Sequence, residues 1–188
     1  MSDLMLDVGL AAKLKVAFAR NGWTTELIDK ACEGDKLGQF RQVLLGHASV
    51  QVIEHLIDCD ADPFIPNDWK IEEHQKGGHF KWNASQVSLF LSDPQKKNKS
   101  IEGNKLRAIL KGEPVLNANV LDYLLKNPQL IPEEWKGKAI FFWGTIYRHS
   151  GGLLCVRCLC WDDGRWRWLC FWLDRGFGGG GPAALRAS

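Results

Sequence analysis

Apolar positions in the first third of the chain recur with a helical period. Leu10, Leu14, Ala17 and Phe18 fall on one face, and Asn21-Gly22 supplies a stop. Thr24 or Thr25 caps a second helix carrying Leu27, Ile28, Ala31 and Cys32, which ends at Gly34. Asp35 caps a third, with Leu37, Phe40 and Leu44 on one face and Gly46 behind them. The spacing predicts a helical segment over residues 1–48, arranged as a small bundle or an outer layer.

The period changes beyond residue 48. β-Branched residues in "SVQVIEHLI" predict a strand over 49–57. "KIEEH" and "HFKW" flank Gly77-Gly78 and predict a hairpin. "QVSLFL" alternates, with Val87, Leu89 and Leu91 on one side, and reads as a strand. After the polar loop "SDPQKKNKS", Ser100 caps a helix over 101–111 with Leu106, Ile109 and Leu110 on one face. Asn117 caps another, whose stripe is Val120, Leu121, Leu124 and Leu125, stopped by Asn127-Pro128. Over 139–175, three β-rich runs joined by "HSGG" and "DDG" predict a three-stranded antiparallel meander. "GFGGGGPAALRAS", residues 176–188, predicts a flexible Gly-rich tail. The fold class is α+β: N-terminal short helices, then a core over 49–175 whose C-terminal Trp-rich sheet packs on helices.

Composition adds little to this, and charge adds an asymmetry. The 188 residues are 45% hydrophobic and 24% charged, as in an ordinary soluble domain. Residues 1–62 carry a formal charge of −4 and residues 63–188 carry +6, within a net +2. A basic C-terminal two-thirds suits an anionic partner, or is simply a solvated mixed surface. "MSDLMLDVGL" lacks the basic and apolar regions of a secretory signal, and no apolar run approaches the ~18 residues of a membrane helix. The expectation is a cytoplasmic protein without a membrane partner, whose six Cys are thiols or ligands.

Several long phrases carry a resemblance. "NGWTTELIDKACEGD", "HLIDCDADPFIPNDWKIEEHQKGG", "SIEGNKLR", "PVLNANVLDYLLKNPQLIPEEWKGK" and "FFWGTIYR" resemble a group of small uncharacterised proteins from uncultivated bacteria. The resemblance spans most of the chain. It implies a free-standing bacterial protein, and it implies no activity, cofactor or ligand.

Five of the nine Trp and four of the six Cys lie within 139–175. Cys155, Cys158, Cys160 and Cys170 have the residue types of a zinc site, which needs its Cys-x2-Cys pair on a tight turn. Here the pair lies in a strand, and alternation sends Cys155 to one face and Cys158 and Cys160 to the other. Buried thiols are therefore expected, with no metal and no cofactor. In the last run Trp166, Trp168, Cys170 and Trp172 share one face, and Arg165, Arg167, Leu169 and Phe171 the other. A sheet apolar on both sides is either covered on both sides or open to a ligand. Trp rings with interleaved Arg157, Arg165 and Arg167 suit single-stranded nucleic acid through stacking and phosphate contacts. They suit a protein interface as well.

Other constellations are weaker. "DCDAD" has the alternating Asp58, Asp60 and Asp62 of a calcium loop, but Pro63 and Trp69 occupy the positions that need Gly and Glu. A capped acidic turn is expected instead. His55, Cys59, His74 and His79 match no zinc spacing. No Gly-x-Ser-x-Gly, phosphate-cradling loop or His-Glu-x-x-His occurs, so no catalytic residue is assigned.

The basic segment Lys96, Lys97, Lys99, Lys105, Arg107 and Lys111 gives the clearest anionic-partner signal, to which backbone N–H groups at the following helix start would add. The sequence thus points to a non-enzymatic binding protein with nucleic acid as ligand. Its contacts would be this segment together with Arg157, Arg165, Arg167, Trp166 and Trp168. The alternative is a protein-interaction or assembly module using the Trp-rich sheet. A Cys- or metal-dependent enzyme ranks third.

Overall fold

The change from helical to strand period is also where the chain divides, into the units Met1–Ile53 and Glu54–Ser188. The computed structural model describes residues 7–51 and 53–187. In the first unit, α1 (Val8–Arg20) starts where the Asp7 carboxylate accepts from Leu10 N at 2.7 Å. It is followed by α2 (Thr25–Cys32), capped by the Thr24 hydroxyl, and α3 (Lys36–Leu44). Gly22, Gly34 and Gly46 all take left-handed φ, the conformation that ends a helix. Phe18, Trp23 and Phe40 stack in series at 5.0 and 6.4 Å between ring centroids. Ala31 is the only buried residue among those described in this unit, so Leu10, Leu14 and Leu37 keep their apolar faces exposed.

The second unit contains β1 (Leu56–Asp58), β2 (Lys70–His74), β3 (His79–Lys81) and β4 (Val87–Phe90). Next come α4 (Asp93–Lys96), β5 (Ile101–Glu102), α5 (Gly103–Ile109) and α6 (Ala118–Lys126). Its last strands are β6 (Ala139–Arg148), β7 (Leu154–Asp162), β8 (Arg165–Trp172), β9 (Gly176–Phe177) and β10 (Ala183–Arg186). The α+β class holds, and β6–β7–β8 form an antiparallel run in which Ile140 faces Leu159 and Leu159 faces Trp168. β10 adds to the other side of β6, and β4 to β10, so β8 is an edge. β2 pairs with the far end of β6.

The sheet is apolar on both sides because it is covered on both sides. Ile140, Phe142 and Leu159 pack under Val120, Leu121 and Leu124 of α6. Phe141, Val156 and Cys158 point the other way, to Leu106 of α5, to Leu110 just after it and to Phe177. These clusters exclude water from most of β6 and β7, the main source of stability here.

Three local expectations are corrected. "KIEEH" and "HFKW" do not pair: β2 joins β6, and β3 joins β1 in a separate ladder. Of the strand expected over 49–57, Leu56 and Ile57 lie in β1, the other described residues are not in a strand, and Val52 lies outside the described residues. The helix expected from residue 101 starts at Gly103, because Ile101 and Glu102 pair with Phe177 and Gly176.

The largest difference is the tail. Residues 176–186 form β9 and β10 rather than a flexible end, with Ala183, Ala184 and Leu185 buried. Glycine makes this possible, since a Cβ on Gly181 would stand 2.8 Å from the Phe141 ring. The buried Gln95 side chain then holds the turn by donating to the carbonyls of Gly178 and Gly181 at 3.0 and 3.2 Å.

Candidate functional site

Strand alternation in β8 determines what the hairpin offers. Trp166 and Trp168 turn to the α6 side, where both pack against the core. Trp161 has Lys136 4.0 Å from its ring centroid and Trp166 at 5.3 Å on the same side. Trp166 and Trp168 are half-covered building material rather than an open stacking platform, while Trp161 is 36% exposed beside Lys136. On the α5 side, Leu169 is 48% exposed and Phe171 39%, in one row with Arg165 and Arg167. The partly exposed aromatic of β8 on this side is therefore Phe171, whose ring also packs on Phe141 at 5.3 Å and Phe177 at 6.0 Å and which the sequence had not singled out. Its signal was present in the alternation.

Arg157 does not reach that surface. Its position between Cys155 and Leu159 points it toward α6, and it is 1% exposed. Its guanidinium donates to both carboxylate oxygens of Asp122 and approaches the Tyr147 hydroxyl at 3.4 Å. The Trp168 ring lies 4.5 Å away. A guanidinium buried in this way and held by Asp122 cannot meet a phosphate, so Arg157 leaves the set of nucleic-acid contacts. Its partner Asp122 is the one acid of α6, beside the apolar stripe.

The remaining basic residues lie on the α5 side. Lys96, Lys97, Lys99 and Lys105 are exposed, with Lys96 3.9 Å from Asp93. Gln95 anchors this loop to Gly178 and Gly181, and Gly180 accepts from Ala139 N. Ala139 faces Cys160, which faces Arg167. The anchor therefore lies level with the Arg167 end of the sheet, but three strand spacings from it, about 14 Å. Arg167 itself is shared between Asp162 at 3.1 Å and Asp163 at 3.6 Å. Arg165 is exposed at the strand start. The N–H groups at the start of α5 are spent: Gly103 N donates to Arg175 O and Asn104 N to Leu173 O, each at 3.0 Å.

Arg107 stands apart, paired with Glu73 at 2.5 Å. With Lys111, Gln75, Asn104 and Trp143 they border a cavity of about 430 Å³ beside α5. Trp143 is 5% exposed, and its indole N–H has no acceptor among the described residues. An unpaired buried donor costs about 1–3 kcal/mol, which an oxygen-bearing ligand would recover.

The cysteines separate as alternation requires. Cys155 and Cys170 share the α6 side with Tyr147, while Cys158 packs on the α5 side. Burial pushes the Cys158 thiol up to about 12 and, with Asp60 and Asp58 nearby, the Cys59 thiol up to about 11. The histidines are structural in their geometry. His74 bridges Thr145 Oγ1 at 2.9 Å and the Cys59 carbonyl at 3.2 Å, and His55 meets the Tyr123 hydroxyl at 2.9 Å. The Cys59 carbonyl can only accept, so Nε2–H of His74 donates to it and Nδ1 accepts from the Thr145 hydroxyl, whose oxygen accepts from Ala118 N. The Asp58 carboxylate accepts from Asp60 N and Ala61 N, which makes "DCDAD" a capped turn.

No helix among the described residues is long and apolar enough to cross a membrane. No family model, no curated protein and no solved structure matches the chain.

Proposed function

We propose that this chain is a non-enzymatic binding protein for single-stranded nucleic acid, and that the α5 side of the sheet is its binding surface. The observation that carries the reading is the β8 row Arg165, Arg167, Leu169 and Phe171, on the same side as the anchored lysine loop. Phe171 offers a ring to a base, worth about 1–3 kcal/mol. Lys97, Lys99, Lys105 and Arg165 offer charge to the backbone.

The test is a fluorescence titration with single-stranded and duplex oligonucleotides, and with inorganic phosphate, at 50 and 200 mM salt. With about four phosphates neutralised, the single-strand slope predicts roughly 50-fold weaker binding at the higher salt. Absence of binding at low salt, or binding indifferent to salt, overturns the reading. Binding of free phosphate alone replaces it with a small-anion site.

A second reading is an assembly module, favoured by one observation: β8 ends the main sheet with one side unpaired, beside exposed Leu169 and Phe171. Light scattering on the eluting protein tests it, and a monomer across the accessible concentration range counts against it.

A further inference from the structure

We infer that Cys170 and Cys155 form an oxidisable dithiol, with Cys170 the attacking sulfur, Cys155 the resolving sulfur, and a hydroperoxide as oxidant. The β7–β8 register sets Arg157 opposite Cys170 and Cys155 opposite Trp172. Cys155 and Cys170 are therefore diagonal neighbours on one face, and they pack together against Tyr147. Cys155 is fully buried while Cys170 is half-buried, so an oxidant meets Cys170 first.

Arg157 is the second observation. Asp122 and Tyr147 occupy its terminal nitrogens, but its Nε has no partner among the described residues. A thiolate at Cys170, its cross-strand neighbour, gives the buried guanidinium a further anionic neighbour. The neighbouring Cys155 thiol, and with it the charge of Arg157, holds the Cys170 thiol below the ordinary thiol range. The same neighbour, with burial, pushes the Cys155 thiol above it. One sulfur is ready as the nucleophile and the other keeps its proton, the division of labour that a peroxide-sensing pair requires.

The chemistry balances with hydrogen peroxide. The Cys170 thiolate attacks one peroxide oxygen and the O–O bond breaks. The departing hydroxide takes the thiol's proton and leaves as water, with Cys170 as a sulfenic acid. The Cys155 sulfur then attacks the Cys170 sulfur, the S–O bond breaks, and the hydroxide leaves with the Cys155 proton as a second water. Two thiols become one disulfide, and one peroxide becomes two waters. A diagonal pair, about 7–8 Å apart, lies beyond ordinary disulfide reach, so the bond closes only with a backbone shift. β8 is an edge strand bonded on one side only, so the closing shift involves that strand alone.

The test uses the full chain, treated with equimolar hydrogen peroxide and mapped by peptide mass spectrometry. The expected product is a linked Cys155–Cys170 peptide. In Cys155→Ser, Cys170 should instead be trapped as sulfenic acid by a 1,3-dicarbonyl probe. In Cys170→Ser, Cys155 should stay reduced. Oxidation confined to Cys32 or Cys160 overturns the inference, as does an unchanged rate of Cys155 oxidation in Cys170→Ser. Oligonucleotide binding plays no part in this readout.

Discussion

Arg157 of β7 and Asp122 of α6 are joined by two nitrogen–oxygen contacts, 2.6 and 3.0 Å, with the arginine almost wholly out of water. The pair fixes the rotation of α6 over the sheet, since Leu121 and Leu124 must face the core while Asp122 reaches the guanidinium. Desolvation of such a pair offsets much of its attraction, so its worth shows mainly when one partner is removed.

Asp122→Ala should therefore destabilise the fold by about 3–5 kcal/mol, by leaving a buried charge uncompensated. The double replacement Arg157→Met with Asp122→Leu should recover most of that loss. Urea unfolding of both variants checks this, and equal loss in the double variant contradicts it.

The two sides of β8 should respond differently to truncation. Trp168→Ala removes a ring packed on the α6 core and on Arg157, and should cost about 3 kcal/mol of stability. Phe171→Ala should weaken oligonucleotide binding by about 1–3 kcal/mol with a smaller stability change. Parallel unfolding and titration measurements separate the effects. The reverse assignment would show that the α6 side faces the ligand.

Gln95→Ala should release the C-terminal strand. Its amide bonds two carbonyls of the glycine turn that leads into β10. Hydrogen exchange at Ala184 and Leu185 should quicken, while Val156 in the sheet centre stays protected. Uniform quickening would mean that β10 unfolds only with the whole sheet.

What was legible in the sequence follows from where each signal lies. The β6–β7–β8 meander is written locally, in period-two alternation and Gly-containing turns, and so is the Asn117 cap, whose side chain accepts from Asn119 N. Pairing between distant segments is not. "KIEEH" looks like half of a hairpin because its true partner, Thr145–Arg148, lies far along the chain. Arg157 reads as a ligand contact because no acid is near it in sequence, and Asp122 is 35 residues away. "GGGGPAALR" reads as a tail because small residues give no burial signal until Phe141 and Gln95 are placed against them. Of the proposed surface, the lysine loop was evident at once, whereas Phe171 emerged only when alternation was tied to which side α5 covers.

The buried thiols predict an alkaline limit to stability. Burial is the first cause for both, raising Cys59 to about 11 and Cys158 to about 12 from an ordinary 9.0. Between pH 9 and those values the unfolded thiols have lost their protons while the folded ones keep them. The folded state then binds more protons, so stability falls as pH rises. The contribution is whole below pH 9 and is lost progressively up to about 11 for Cys59 and about 12 for Cys158. Each group costs about 1.4 kcal/mol for every pH unit crossed. Urea midpoints measured from pH 7 to 10.5 under a phosphine reductant should decline accordingly. Cys158→Ala should start lower at pH 7, from the cavity it leaves, yet decline less steeply above pH 9. Parallel declines in the two proteins would mean that Cys158 ionises in the fold as readily as outside it.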